Sequence, residues 1–398
     1  MSNIVIVGGG FAALQTIKMV RKLDRDIAIT MITADAGVEY SKPNLSHAFS
    51  QEQTPETLAV HNAQQLAEQY NVVIKTKALV SEIDTEQQCV HVDGQSIHYS
   101  KLVLATGATP FIPPAEGLKR SATITLNSLE EFDKHKAQID RAQRITVMGG
   151  GLIGVELAFD LQTAGKDVTI IEPASYLLNN LVPPFVSLEL ERELTKAGVT
   201  VETDSAVCRA TYLPDGVRLQ TTSSRLIRTD IVIAAAGLRP NTQLATQAGI
   251  EVNKGIVVDT IMRTNVENVY AIGDCAEIEG RVMAYLQPAI LSANVLAKQL
   301  VMGNGESKVG KVGKVGKVGE GKLSLPHIIT KVKTPSYPIQ LAGRDIQTAQ
   351  SWETRFDPKG IVAKGFNEDN QLVGFIVTGE HTKAAFPLLK ELQASSPA

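Results

Sequence analysis

The chain has 398 residues, 43% hydrophobic and 5% aromatic, with a formal net charge of −3. This suits an Ala/Val/Ile/Leu/Gly-rich α/β protein of two or three domains and argues against bulk nucleic-acid binding. No Lys/Arg-rich segment precedes the first apolar stretch, and no run approaches the ~18 apolar residues of a membrane span, so a cytoplasmic protein is expected.

"NIVIV" and "IAITMIT" read as short buried strands. "FAALQTIKMVRKLD" lies between them with helical spacing, Leu14, Ile17 and Val20 on one side, which makes a β-α-β unit. Gly8, Gly10 and Ala13 join the first strand to the helix in a GxGxxA spacing. In such a loop the first glycine permits a tight turn and the second lets backbone approach a pyrophosphate. The third position keeps helix and strand close, and the phosphate lies on the helix N-terminus. The next strand runs into Ala34 and Asp35, the carboxylate nearest the place of a ribose-binding acid; the role of Asp35 stays open.

"KLVLATG", with Thr106 and Gly107, is a further strand, followed by the Pro-rich connector "ATPFIPPAEG", a domain boundary. The β-α-β pattern then returns at "RITVM", "LIGVELAFDLQTAG" and "DVTIIE". Here Gly149, Gly151 and Gly154 stand in a GxGxxG spacing, and Glu172 follows Gly154 by 18 residues at the strand end. A carboxylate there binds ribose hydroxyls and repels a 2′-phosphate. With no Arg within "EPASYLLNN", NADH is expected over NADPH. Two dinucleotide sites in one chain suggest two dinucleotides, and a flavin and a nicotinamide react with each other by hydride transfer.

"TDIVIAAAGLRPNT" and "NVYAIGDCAEIEG" are apolar strands ending in glycine, and "QPAILSANVLAKQL" is a helix with Pro288 near its first turn. Residues 308–319 are four copies of Lys-Val-Gly, read as a flexible insert, with a basic docking loop for an acidic partner as the alternative. The last 70 or so residues alternate apolar and polar, with "NEDNQ" as a hairpin turn and "TKAAFPLLKELQ" as a closing helix, a small α+β domain. Cys89, Cys208 and Cys275 are too far apart for a local redox disulfide or a zinc knuckle, and no metal is expected.

"LVLATGA", "GLRPNT" and "VYAIGDCAE", in that order around the second unit, resemble the two-dinucleotide flavoprotein reductases related to glutathione reductase. The resemblance implies an α/β fold of two Rossmann-like domains, the NAD domain inserted in the FAD domain, plus the small α+β C-terminal domain. The corresponding boundaries are 1–110 and 237–305 for FAD, 111–236 for NAD, 306–323 for the repeat insert and 324–398 for the C-terminal domain. It also implies that Thr106, Gly107 and Gly237 lie at the cofactors and that Asp274 bonds the ribityl chain of FAD.

"EYSKPNLSH", "LQPAILSA" and "ITKVKTPSYP" are similar to segments of the NADH-dependent rubredoxin reductases, including those that reduce a flavorubredoxin in nitric oxide reduction. By that resemblance Lys42 sits near flavin N5 and pairs with Glu156, the two catalytic residues. Val80 touches the adenine end, and Leu286 and Lys333 line the flavin. Thiol-using relatives carry a Cys where this chain has "YSKPNLSH", with Ser41 and Ser46 and no Cys before Cys89. A flavin without a thiol relay delivers electrons to an external acceptor, here a rubredoxin or flavorubredoxin met in a transient encounter. A ferredoxin reductase of an oxygenase system and an NADH-sensing flavoprotein remain as alternatives. No long apolar helix face demands a dimer, so a monomer is expected.

Overall fold

In this computed structural model the structure describes residues 3–302, 323, 326–343 and 346–395. The Lys-Val-Gly repeats lie outside the described residues. The chain clusters into two compact units. The first comprises Met1–Ser41, Glu56–Thr109 and Leu238–Leu325; the second comprises Lys42–Pro55, Pro110–Gly237 and Pro326–Ala398.

The first unit is built on a five-stranded parallel sheet in the order Val269–Ala271, Lys101–Leu104, Asn3–Val7, Ala28–Ile32, Val73–Lys75. Ile4, Val5 and Ile6 are fully buried, as strands covered on both faces require. The helices Phe11–Leu23 and Leu286–Val301 pack together in this unit. Lys101, only 6% exposed, donates from Nζ to the carbonyls of Gln299 (2.7 Å), Leu300 (3.0 Å) and Met302 (2.6 Å). It thereby satisfies the otherwise orphaned end of the second helix. A three-stranded antiparallel meander, Val80–Asp84, Cys89–Val92 and Gln95–His98, completes the frame.

The second unit repeats the plan. Its parallel sheet runs Thr123–Ile124, Ile231–Ala234, Arg144–Met148, Asp167–Ile171, Thr200–Glu202, and its meander is Val207–Leu213, Gly216–Thr221, Leu226–Thr229. The helix Leu152–Thr163 follows the central strand and is buried continuously from Gly154 to Leu161. A helix buried on all sides is ordinarily apolar throughout; this one carries Glu156 and Asp160. The C-terminal portion is a five-stranded antiparallel sheet in the order Thr330–Val332, Ile339–Ala342, Leu372–Thr378, Gly360–Phe366, Ser351–Asp357, closed by the helix Ala385–Ser395. The expected hairpin at "NEDNQ" joins two of these strands. The Thr330–Val332 strand is too short to show a period-2 pattern and was not read from sequence.

Candidate functional site: two glycine loops and a buried carboxylate pair

The two glycine loops superimpose in their local chemistry. Gly8 has φ +115° and Gly149 has φ +117°. A Cβ on Gly8 would lie 2.1 Å from the carbonyl oxygen of Ala105, and one on Gly149 would lie 2.5 Å from that of Ala235. Both glycines are therefore fixed by backbone conformation and by the adjacent strand end. At the third position the loops differ: Ala13 is fully buried, whereas a Cβ on Gly154 would lie 2.0 Å from the carbonyl oxygen of Gly149.

The middle glycines have no such reason. Gly10 and Gly151 are helix N-caps at φ −73° and −74° with ψ −175°, extended backbone open to any residue, and neither makes a side-chain cap. A Cβ on either would meet no protein atom within 4 Å. Fold and packing leave glycine at 10 and 151 unexplained. A ligand lying on the uncapped helix N–H groups explains both, and a pyrophosphate fits that charge and shape. Gly107 (φ +66°) and Gly237 (φ +98°) also face open space.

At the second strand end, Glu172 Oε2 accepts from Gly150 N at 2.6 Å and Oε1 accepts from Ala174 N at 2.8 Å. The carboxylate is held beside its glycine loop. Asp35 instead closes its own turn: Oδ1 accepts from Thr33 Oγ1 at 2.7 Å and from Gly37 N at 2.8 Å. Ala34 before it is exposed. Thr106 is tied to the returning chain, its Oγ1 donating to the Asn241 carbonyl at 2.7 Å while Asn241 Nδ2 donates to the Thr106 carbonyl at 2.8 Å. Asp274 lies in the tight turn Gly273–Cys275, Val80 is buried at the start of its strand, and Leu286, 37% exposed, opens the helix Leu286–Val301. Cys275 is wholly buried with its Sγ on the carbonyls of Leu104 and Ile272, and burial pushes its thiol pKa up, so it is an inert packing residue.

In the second unit the segment Lys42–His47, one short 3-10 helix, packs on the helix Leu152–Thr163. Glu156 Oε2 accepts from Ser46 Oγ at 2.7 Å and lies 3.4 Å from His47 Nε2. Glu156 Oε1 accepts from the backbone N–H of Lys333 at 2.8 Å. One turn along, Asp160 accepts from Phe49 N (2.8 Å), Ser50 N (3.2 Å) and Ser50 Oγ. Burial pushes the Asp160 carboxyl pKa up, opposed by these hydrogen bonds and by the charge of His47. The structure thus brings Glu156 together with Lys333 and with the Lys42 segment. Sequence reasoning missed Ser46 as a partner, His47 and Asp160. The available signal was two carboxylates four residues apart in the otherwise apolar "VELAFD". It also missed the approach of Asp84, Cys89 and His91, whose possible ligand atoms lie within 4.8 Å of one another. There Asp84 Oδ1 is taken by the N–H groups of Glu86 and Gln87, and His91 Nδ1 by Ser96 Oγ at 3.1 Å.

Residues 2–293 match the family described as pyridine nucleotide-disulphide oxidoreductase. The chain belongs to the pyridine nucleotide-disulphide oxidoreductases. Residues 322–392 match a further family described as the rubredoxin binding C-terminal domain. Among similar members of known name, a nitric oxide reductase FlRd-NAD(+) reductase from Aliivibrio fischeri is 46% identical over 393 residues, covering 99% of each chain. One of the same name from Vibrio vulnificus is 46% identical over 389 residues, covering 98% of this chain and 97% of the other. The putidaredoxin reductase–putidaredoxin complex has the same fold, with a TM-score of 0.86 at 23% identity, covering 100% of this chain and 94% of the other. Among the described residues no helix is long and apolar enough to cross a membrane.

Proposed function

We propose that the protein is an NADH-dependent, FAD-containing reductase that passes electrons to a rubredoxin centre, namely the rubredoxin domain of a flavorubredoxin in nitric oxide reduction. The observation that carries this reading is the pair Gly10 and Gly151, two glycines at uncapped helix N-termini that neither backbone conformation nor packing requires, one in each parallel-sheet unit. The rubredoxin-binding match over residues 322–392 and the FlRd-NAD(+) reductase relatives supply the acceptor.

Bound FAD would accept a hydride and release electrons singly. The protein's residues bind and tune. Gly8, Gly10 and Ala13 form the pyrophosphate turn for FAD, with Ala34, Asp35, Val80, Thr106, Gly107 and Asp274 along the same cofactor. Gly149, Gly151 and Gly154 do the same for NADH, with Glu172 on the ribose and Gly237 where the chain leaves the NAD domain. Lys42 supplies positive charge near the reacting edge, oriented through Glu156, and Leu286 and Lys333 line the opposite side. The FAD domain is 1–110 with 237–305, the NAD domain 111–236 and the acceptor domain 324–398, with 306–323 as an insert. We place the protein in the cytoplasm, a reducing compartment that suits its three free cysteines.

The test is anaerobic NADH oxidation by the FAD-loaded protein with a rubredoxin domain, with a plant-type ferredoxin, or with no acceptor. Fast, saturable reduction of the rubredoxin alone supports the reading. Preference for ferredoxin moves the protein to an oxygenase-type chain. Flavin reduced by NADH without transfer to either iron protein overturns the proposal in favour of a sensor.

A further inference from the structure

The antiparallel meander Val80–Asp84, Cys89–Val92 and Gln95–His98 lies wholly within the first compact unit. It carries three side chains of metal-binding type on one face. Asp84 stands directly opposite Cys89, and His91 follows Cys89 by two residues. Opposed residues and alternate residues share a face of a sheet. A carboxylate oxygen of Asp84, the Cys89 Sγ and a ring nitrogen of His91 lie within 4.8 Å of one another, and Cys89 Sγ is 3.9 Å from His91 Nε2. Zinc, with bonds of ~2.0–2.3 Å, separates its tetrahedral ligands by about 3.3–3.8 Å. A small adjustment of these side chains brings all three onto one ion.

The surrounding contacts leave the right atoms free. Asp84 Oδ1 accepts from the N–H groups of Glu86 at 3.0 Å and Gln87 at 2.8 Å, which orients the carboxylate and leaves Oδ2 to a further partner. His91 Nδ1 lies 3.1 Å from Ser96 Oγ. With Nδ1–H donated to that hydroxyl, Nε2 presents its lone pair towards Cys89, the arrangement in which a histidine binds a metal. His98, opposite Cys89, is exposed, with its Nδ1 3.3 Å from the Gln87 carbonyl.

Tyr99 supplies an independent sign of a missing partner. The residue is 4% exposed, and its hydroxyl is buried without a hydrogen bond. Burial, then the neighbouring Cys89 and Asp84, pushes the phenol pKa up to about 12, so the hydroxyl lies close to both. A buried hydroxyl left unpaired is costly. A water held on an ion beside Cys89 and Asp84 would pair it.

We propose that Asp84, Cys89 and His91 form a zinc(II) site, completed by a water that hydrogen-bonds to Tyr99. Thiolate, imidazole and carboxylate together suit a borderline-soft divalent ion, whereas magnesium and calcium take oxygen ligands. Binding exchanges the Cys89 S–H bond for an S–Zn bond; the thiol proton leaves to water and no electron moves. The ion ties together the first two strands of the meander and occupies a thiol that has no other task. The spacing of an acid five residues before Cys-x-His belongs to no zinc knuckle; strand pairing assembles the site.

The test titrates the full chain, stripped of metal by a chelator, with cobalt(II). Ligation by a thiolate appears as an intense charge-transfer band in the difference spectrum against the metal-free protein. The band should saturate at a single ion per chain, vanish in Cys89→Ser and in His91→Gln, and persist in Cys208→Ser, which removes the exposed thiol. Zinc should compete the cobalt away. Ser96→Ala and Tyr99→Phe keep all three ligands and should weaken zinc by about 10–100-fold, the usual effect of losing an outer partner. Absence of the band, its survival in both ligand variants, or its loss in Cys208→Ser overturns the site, as does unchanged zinc affinity in both outer variants. If Cys89→Ser does not fold, the half-buried His91 decides: a band retained in His91→Gln overturns the assignment, and a lost one supports it.

Discussion

Glu172 accepts a hydrogen bond from the backbone N–H of Gly150 at 2.6 Å, so the acid proposed to select the ribose also braces the loop proposed to receive the pyrophosphate. Replacing it therefore does two things. Glu172→Ala should raise KM for NADH by loosening the loop. Glu172→Ala with Ala174→Arg should shift the NADPH-to-NADH ratio of kcat/KM upward by about tenfold or more, ~1.4 kcal/mol. Steady-state kinetics with both nucleotides check this, and an unchanged ratio removes Glu172 from the ribose site.

Glycines of one motif should fail in different ways. Gly154→Ala puts a methyl group 2.0 Å from the Gly149 oxygen, so helix and strand must separate. A loss of about 1–3 kcal/mol is expected in denaturant unfolding. Gly10→Ala and Gly151→Ala meet no protein atom. They should leave apo-protein stability within about 0.5 kcal/mol while weakening FAD and NADH binding respectively. Calorimetry of apo-protein with and without each cofactor distinguishes the cases.

A positive side chain near a flavin favours its reduced, negatively charged form. Lys42→Ala should therefore make the midpoint potential more negative, by about 30 mV for each tenfold change in the two-electron equilibrium. Spectroelectrochemical titration checks it, and an unchanged potential takes Lys42 away from the flavin.

Glu277, 3% exposed, accepts from Asn253 Nδ2 (2.9 Å), Lys254 N (2.7 Å) and Gly255 N (2.9 Å). Although burial opposes ionisation, the backbone N–H of Gly255, the Asn253 amide and the Lys254 N–H together hold its pKa below the ordinary value. A folded-state pKa below the unfolded one stabilises the fold above the unfolded value of about 4.3. That contribution is lost as pH falls through the depressed folded value. Glu277→Gln should cost about 1–3 kcal/mol at pH 7, and the difference from the natural protein should shrink in acid. Urea unfolding at a series of pH values measures it.

Much of this protein is determined by its sequence alone. A strand, a glycine turn and an amphipathic helix are local events, and so Gly8, Gly10, Gly149, Gly151, Gly154 and Glu172 were legible within about 30 residues of chain. The carboxylate cluster was not. Ser46 and Glu156 are 110 residues apart, and Lys333 and Glu156 are 177 apart. No periodicity specifies such partners. Glu156 and Asp160 alone look like a polar stripe awaiting solvent; only the packing of 42–50 and 333 against their helix buries them and turns that stripe into a hydrogen-bonded cluster. The order of the C-terminal sheet was likewise a tertiary outcome, because a three-residue strand acquires its place from the partners that pair with it rather than from its own pattern.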